Sequence, residues 1–131
     1  DFKTGSHNLI LGEENSYESW ASIVAGRNSS SSASAGYASV LGGVGNSAEI
    51  HSSTIVGGSN NVTSGGEDVV VGGIGNESSA SYAVCIGGNG NTASGRHSSV
   101  LGGRYNEASG QFSVVTAGNG NTATSIDSYA P

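Results

Sequence analysis

The feature that most constrains this chain is a doubled glycine that recurs every fifteen residues. The pairs begin at Gly42, Gly57, Gly72, Gly87 and Gly102, and Ala117-Gly118 continues the spacing. A short, fixed period is typical of a solenoid, in which each repeat forms one coil and is buried against its neighbours. The sequence therefore predicts an all-β fold, a parallel β-solenoid (β-roll) of about eight coils.

An asparagine follows three residues after the second glycine of each of these repeats. We interpret Gly12 with Asn15, and Gly26 with Asn28, as two earlier copies. The predicted ladder contains Asn15, Asn28, Asn46, Asn61, Asn76, Asn91, Asn106 and Asn121. Asparagine tolerates the left-handed backbone of tight corners, and stacked amides can bond from coil to coil. We expect the ladder to be structural and not a ligand site.

Composition does not change along the chain, so residues 1–131 are predicted to form a single solenoid domain. The spacing predicts an atypical first coil at about residues 9–22, where Tyr17 and Trp20 are expected to cap the stack. A wider gap before Asn46 predicts a serine-rich loop insertion at about residues 29–35, because surface loops absorb extra residues.

Two adjacent apolar columns precede the glycine pairs. The first contains Val40, Ile55, Val70, Cys85, Val100 and Val115, and the second contains Leu41, Val56, Val71, Ile86 and Leu101 and ends in Thr116. Successive side chains on a strand point to opposite faces, so only one column can point into the coil. The other needs a cover, and the columns together predict a core and an oligomer seam. Within the core column, Cys85 is expected to pack as a small hydrophobe.

The charge balance narrows the range of partners. Ten acidic and four basic residues give a net charge of −6, so nucleic acid is not expected as a partner. The apolar runs are far shorter than a membrane-spanning helix needs, and we expect no membrane insertion of this chain. A single cysteine excludes an intrachain disulfide.

Motifs for chemistry are not found in the sequence. The histidines His7, His51 and His97 lack metal-ligand spacing, and neither a nucleophile elbow nor a phosphate-binding loop occurs. We therefore expect no enzyme activity, no cofactor and no metal. Asn28, Asn61 and Asn76 begin glycosylation sequons.

One variable column carries bulky side chains. It contains Glu67, Tyr82, His97 and Phe112, and Tyr105 lies at a neighbouring corner. Variable positions of solenoids often carry recognition, and aromatic rings can stack on sugars or pack on a protein. The four aromatic and histidine residues are candidates for recognition, and scattered surface aromatics are the alternative interpretation.

The unit from Ser98 to Gly110 resembles the head repeat of trimeric autotransporter adhesins of the YadA type, and Val100, Gly102 and Ala108 occupy matching places. The resemblance implies a left-handed parallel β-roll, a homotrimer, and an extracellular or cell-surface location. The chain departs from the family pattern in its longer period, its doubled glycine and its repeated asparagine.

The leading hypothesis is a non-enzymatic extracellular structural or adhesive fibre protein, either an adhesin head or a subunit that stacks end to end into filaments. Its partners would be further copies of itself, as a homotrimer or an end-to-end polymer, and a host surface, matrix or glycan. The alternatives are an ice-binding or carbohydrate-binding β-solenoid and a polysaccharide-active solenoid enzyme. Aligned threonines and a convergent acid–base site, which ice binding and catalysis would need, are not found.

Overall fold

The computed structural model describes residues 5–131, and this range is all β without a helix. The strands of one sheet, the first sheet, are β1 (Leu9–Glu13), β3 (Ile23–Arg27), β5 (Ser39–Val44), β7 (Thr54–Ile55), β9 (Val69–Val70), β11 (Val84–Cys85), β13 (Ser99–Val100), β15 (Val114–Val115) and β17 (Tyr129–Ala130). The strands of the second sheet are β2 (Ser16–Tyr17), β4 (Ser30–Ser31), β6 (Ser47–Ala48), β8 (Val62–Thr63), β10 (Glu77–Ser78), β12 (Thr92–Ala93), β14 (Glu107–Ala108) and β16 (Thr122–Ala123).

Each coil contributes one strand to each sheet, and all neighbouring strands pair in parallel. Cys85 lies beside Val70 on one side and Val100 on the other, so each partner is one fifteen-residue repeat away. The same register holds in the second sheet, where Ser78 pairs with Thr63 and Ala93. The predicted parallel β-solenoid of about eight coils is confirmed.

The core is a thin layer between the two sheets. The first sheet contributes Val40, Ile55, Val70, Cys85, Val100 and Val115, all fully buried. They face a column of small side chains of the second sheet, Ala48, Thr63, Ser78, Ala93 and Ala108. Burying a valine or isoleucine contributes about 1.5–3 kcal/mol. Because every coil repeats the same contact, stability comes from the repetition.

The first corner of each coil, which leads from the first sheet to the second, needs glycine for steric reasons. Gly88 has a positive φ of 85°. A Cβ atom at Gly88 would collide with the carbonyl oxygen of Gly103 and with the side-chain amide of Asn91. Only glycine combines this backbone conformation with so close an approach of the next coil.

Coil two is irregular at both corners, and its insertion lies later than predicted. Val24 and Ser31, its two inward residues, are separated by one residue fewer than Val40 and Ala48 of the next coil. Ser31 and Val40 are separated by two residues more than Ala48 and Ile55. The extra residues therefore lie within 32–38, whereas residues 29–31, which the sequence placed in the loop, form part of the solenoid wall.

The two aromatic residues expected to cap the stack have different environments. Tyr17 takes an inward position of β2 and packs, partly buried, against the core. Trp20 lies outside, 51% exposed, with its ring against that of Tyr37 at a centroid distance of 4.5 Å. Trp20 is therefore a side-surface residue and not a cap.

Candidate functional site

The asparagine ladder is buried and satisfied by backbone partners. The Nδ2 atom of Asn76 donates to the carbonyl oxygens of Gly72 (2.9 Å) and Gly88 (3.3 Å). Its Oδ1 atom accepts the backbone N–H of Asn91 at 2.9 Å. Equivalent bonds recur at Asn46, Asn61, Asn91, Asn106 and Asn121. From Asn46 to Asn106 the amide donors and the acceptor are in use and join neighbouring coils, whereas half-buried Asn121 uses only its Nδ2 among the described residues.

The second rung of the ladder is Ser29 and not Asn28, which corrects the sequence interpretation. The N–H of Ser29 donates to Oδ1 of Asn15 at 2.9 Å, and Oγ of Ser29 accepts the N–H of Asn46 at 3.3 Å. Asn28 is exposed, with a φ of 53°. Counting three residues from Gly26 reaches Ser29, as counting three from Gly12 reaches Asn15. The sequence interpretation chose Asn28 because it is an asparagine, although it lies only two residues after Gly26.

The second apolar column forms an outer apolar row on the first sheet. Its members are Leu41, Val56, Val71, Ile86 and Leu101, each between 41% and 49% exposed. Leu41 lies in β5, and the other four directly follow β7, β9, β11 and β13, so the row has the spacing of neighbouring parallel strands, about 4.8 Å. Half-buried Val69 and Val84 lie beside this row on the same face of the sheet. The single chain therefore presents a regular, apolar, uncovered sheet face.

Three side chains of the variable column form an aromatic stack at the second corner, which leads back to the first sheet. The rings of Tyr82 and His97 are 4.8 Å apart at 4°, and those of His97 and Phe112 are 5.0 Å apart at 8°. All three residues have φ between 57° and 63°. The equivalent residues Ser52 and Glu67 of earlier coils have the same left-handed backbone, so this conformation belongs to the corner and not to the aromatic residues.

The fourth recognition candidate, Tyr105, is not part of this stack. It lies at the first corner, where its ring covers Gly90 and the Arg104 guanidinium is 5.4 Å from the ring centroid. Tyr105 has a φ of 53°, and the equivalent position of the coil before is Gly90, also left-handed. The sequence spacing had already assigned Tyr105 to a neighbouring corner, and the structure places it there.

A depression of about 530 Å³ adjoins the aromatic stack. Its lining includes His51, Gly66, Glu67, Tyr82 and Arg96. Hydrogen bonding to Glu67, together with the negative charge of that carboxylate, raises the pKa of Tyr82. The Arg96 guanidinium is 6.0 Å from the Tyr82 ring centroid. The depression therefore combines an aromatic ring with groups of both charges.

Two buried titratable groups lie in the coil interior. The Oδ2 atom of Asp68 accepts the N–H of Gly65 at 2.9 Å, whereas Oδ1 has no hydrogen-bond partner among the described residues. Burial raises the pKa of Asp68 to about 7, and the hydrogen bond from Gly65 opposes that shift. Burial also raises the pKa of Cys85 to about 12. Neither group is accessible to a substrate.

Within residues 5–131, no helix has the length and apolar character needed to cross a membrane, and no three acidic, histidine or cysteine side chains are grouped as metal ligands. No protein-family model matches the chain, and neither a curated protein nor a solved structure matches it. The class of the protein is that of its fold, a parallel β-solenoid. Two exposed features are candidates for binding, the outer apolar row and the aromatic stack with its adjoining depression.

Proposed function

We propose that this protein is a non-enzymatic structural element of an extracellular or cell-surface fibre, and that its outer apolar row packs against further copies of the chain. The observation that carries the proposal is the row itself, five large apolar side chains on consecutive coils, each 41–49% exposed. A continuous apolar surface of this kind marks an interaction site. The side chains of the row repeat at the spacing of parallel strands, and a second copy of the chain presents an apolar row with the same spacing.

The apolar area of the row is large enough to contribute to self-association, but it does not set the number of copies. Fully burying such a side chain contributes about 1.5–3 kcal/mol, so covering the exposed half of each would contribute about 1 kcal/mol. Five side chains then contribute about 5 kcal/mol per chain. Association costs roughly 4–15 kcal/mol of translational and rotational freedom, and two rows, at about 10 kcal/mol together, offset a cost within that range. A homotrimer, as the resemblance to YadA-type heads implies, would bury three rows around one axis.

The shape of the solenoid supports a structural role. Its interior is occupied by side chains and by the asparagine ladder, and its two sheets continue from coil to coil. Such a rod serves equally as an adhesin head or as a unit stacked end to end in a filament. Electron microscopy of the purified chain distinguishes the two, because only the second gives long filaments.

Sedimentation of the wild-type chain and a charged variant tests the interface. We expect the wild type to sediment as a trimer, and Val71→Asp with Ile86→Asp to sediment as a monomer or to unfold, since unpaired charge would be buried in the seam. The matched control is Ser79→Asp with Ser94→Asp, which adds the same two charges, also one coil apart, on the surface beside β10 and β12. This control is expected to keep the trimeric mass.

A milder pair separates dissociation from unfolding. Val71→Thr with Ile86→Thr keeps β-branched side chains, and Thr116 occupies the equivalent place in β15's coil. We expect a strand-type circular dichroism spectrum with a dissociation constant raised at least about tenfold, which is about 1.4 kcal/mol. A monomeric wild type, or an Asp pair with unchanged mass and melting temperature, would refute the interface.

A further inference from the structure

The depression beside the aromatic stack exists because two neighbouring positions carry small residues. At the corner position just before the left-handed residue, His51, Gly66, Ser81 and Arg96 follow one another along the solenoid. Gly66 has no side chain and Ser81 has a short one, whereas His51 and Arg96 on either side are long. The His51 ring leans over Gly66, so the opening between this ring and Arg96 is narrower than two coils, or about 10 Å.

The ring of Tyr82 is a rigid wall of this depression. His97 stacks against one face of the ring, and Phe112 stacks in turn on His97. Among residues 5–131, no further ring stacks on the other face of Tyr82. The backbone N–H of Tyr82 also donates to the carbonyl oxygen of Gly66 at 3.1 Å, which fixes the corner to the coil before it. A preorganised aromatic surface loses little conformational entropy when a ligand binds.

The polar groups around Tyr82 both donate and accept hydrogen bonds. Glu67 offers an acceptor, Arg96 offers a fork of donors, and the His51 ring lies against Gly66. The charges of Glu67 and Arg96 are opposite, so the depression has no strong preference for an ion of either sign. A net charge of −6 on the chain also disfavours polyanions.

From this arrangement we infer that the depression binds a neutral saccharide, with the apolar face of one sugar ring against Tyr82 and its hydroxyls bonded to Glu67 and Arg96. Sugar hydroxyls both donate and accept, which matches a site holding one group of each kind. Glu67 and Arg96 are exposed, so a purely apolar ligand would displace water from them without supplying hydrogen bonds, at a cost in desolvation. A volume of about 530 Å³ lies within the range of small-molecule sites and suits a mono- or disaccharide.

This inference deepens the proposed surface role by giving the fibre a ligand, but the binding itself is a property of one chain. The stack lies at the second corner of the coil, whereas the outer apolar row lies on the first sheet. Self-association and saccharide binding can therefore fail independently.

Saturation-transfer NMR with maltose, lactose, chitobiose and mannobiose tests the site. We expect at least one of them to receive saturation from the wild-type chain, with weak affinity typical of a shallow site. Tyr82→Asn removes the ring and keeps a residue that tolerates a left-handed backbone, so binding is expected to weaken at least about tenfold. The matched control is Tyr105→Asn, which removes the same side chain at the same φ class from the other corner and is expected to bind like the wild type.

Glu67→Gln provides a second measurement, because it changes the polar contacts without removing a ring. We expect it to weaken binding of the same disaccharide while the His97 and Phe112 ring resonances stay in place. Absence of transfer to all four disaccharides, or equal binding by Tyr82→Asn and Tyr105→Asn, would overturn the inference. So would tighter binding of a glucuronate disaccharide than of any neutral one. A trimer by sedimentation that binds no sugar would leave the fibre proposal intact.

Discussion

Replacing one rung of the asparagine ladder tests how the coils are held together. Asn76 is fully buried, and its side chain makes three hydrogen bonds, to Gly72, Gly88 and the N–H of Asn91. In Asn76→Ala all three are lost, and the N–H of Asn91 and two carbonyl groups lose a partner in a site closed to water. Each net hydrogen bond is worth about 1 kcal/mol, so the expected loss is about 3 kcal/mol.

The substitution Asn76→Ser gives an internal comparison. At coil two the ladder already uses a serine, whose Oγ accepts the next N–H at 3.3 Å. A serine at position 76 would keep that acceptor and lose the two donations to Gly72 and Gly88, so a loss of about 2 kcal/mol is expected. Asn76→Asp keeps the acceptor but places a carboxylate against two carbonyl oxygens, and we expect it to destabilise the protein more at pH 7 than at pH 4.

Urea denaturation followed by circular dichroism, at one protein concentration, measures these losses. Asn89→Ala is the matched control, since it also removes a side-chain amide. Asn89 is half-buried, and its side chain makes no hydrogen bond within residues 5–131. It is expected to change stability by no more than about 0.5 kcal/mol. A loss in Asn76→Ala below about 1 kcal/mol, or equal to that of Asn89→Ala, would refute the view that the ladder holds the coils.

Three further predictions concern single side chains. Cys85→Val, which places valine between Val70 and Val100, is expected to keep stability within about 1.5 kcal/mol, and native Cys85 should resist thiol reagents because its pKa is raised to about 12. The pKa of Asp68 is 3.8 when unfolded and about 7 when folded, so melting temperature should fall as pH rises from 4 to 7, and Asp68→Ser should remove that slope. In a secretory host that glycosylates asparagine, mass spectrometry of the folded protein should find glycan at exposed Asn28 and none at Asn61 or Asn76, whose amides are buried in the ladder.

The repeat period was sufficient to predict the architecture. Because the period is fixed, equivalent residues of successive repeats have equivalent environments. One column of the repeat alignment therefore predicts one row of side chains in the solenoid. Val70 and Val100 were assigned to the interior, and Val71 to the opposite face, from strand alternation alone, and the structure places them so. The corner role of the second glycine followed in the same way, because few residues other than glycine accept its backbone conformation.

The fold was needed to locate the insertion in the irregular coil two and to show which side chains of neighbouring coils are in contact. Coil two loses one residue at the first corner and gains two at the second, changes that partly cancel in the sequence count. Backbone pairing between coils fixes the register locally, and it assigns the rung to Ser29 and leaves Asn28 outside. The same pairing brings Tyr82, His97 and Phe112 into one stack and places Tyr105 elsewhere. The fifteen-residue spacing already put Tyr105 in another column. Whether the three rings of the Tyr82 column stack depends on the distance between coils and on the backbone direction at the corner, which only the folded chain fixes.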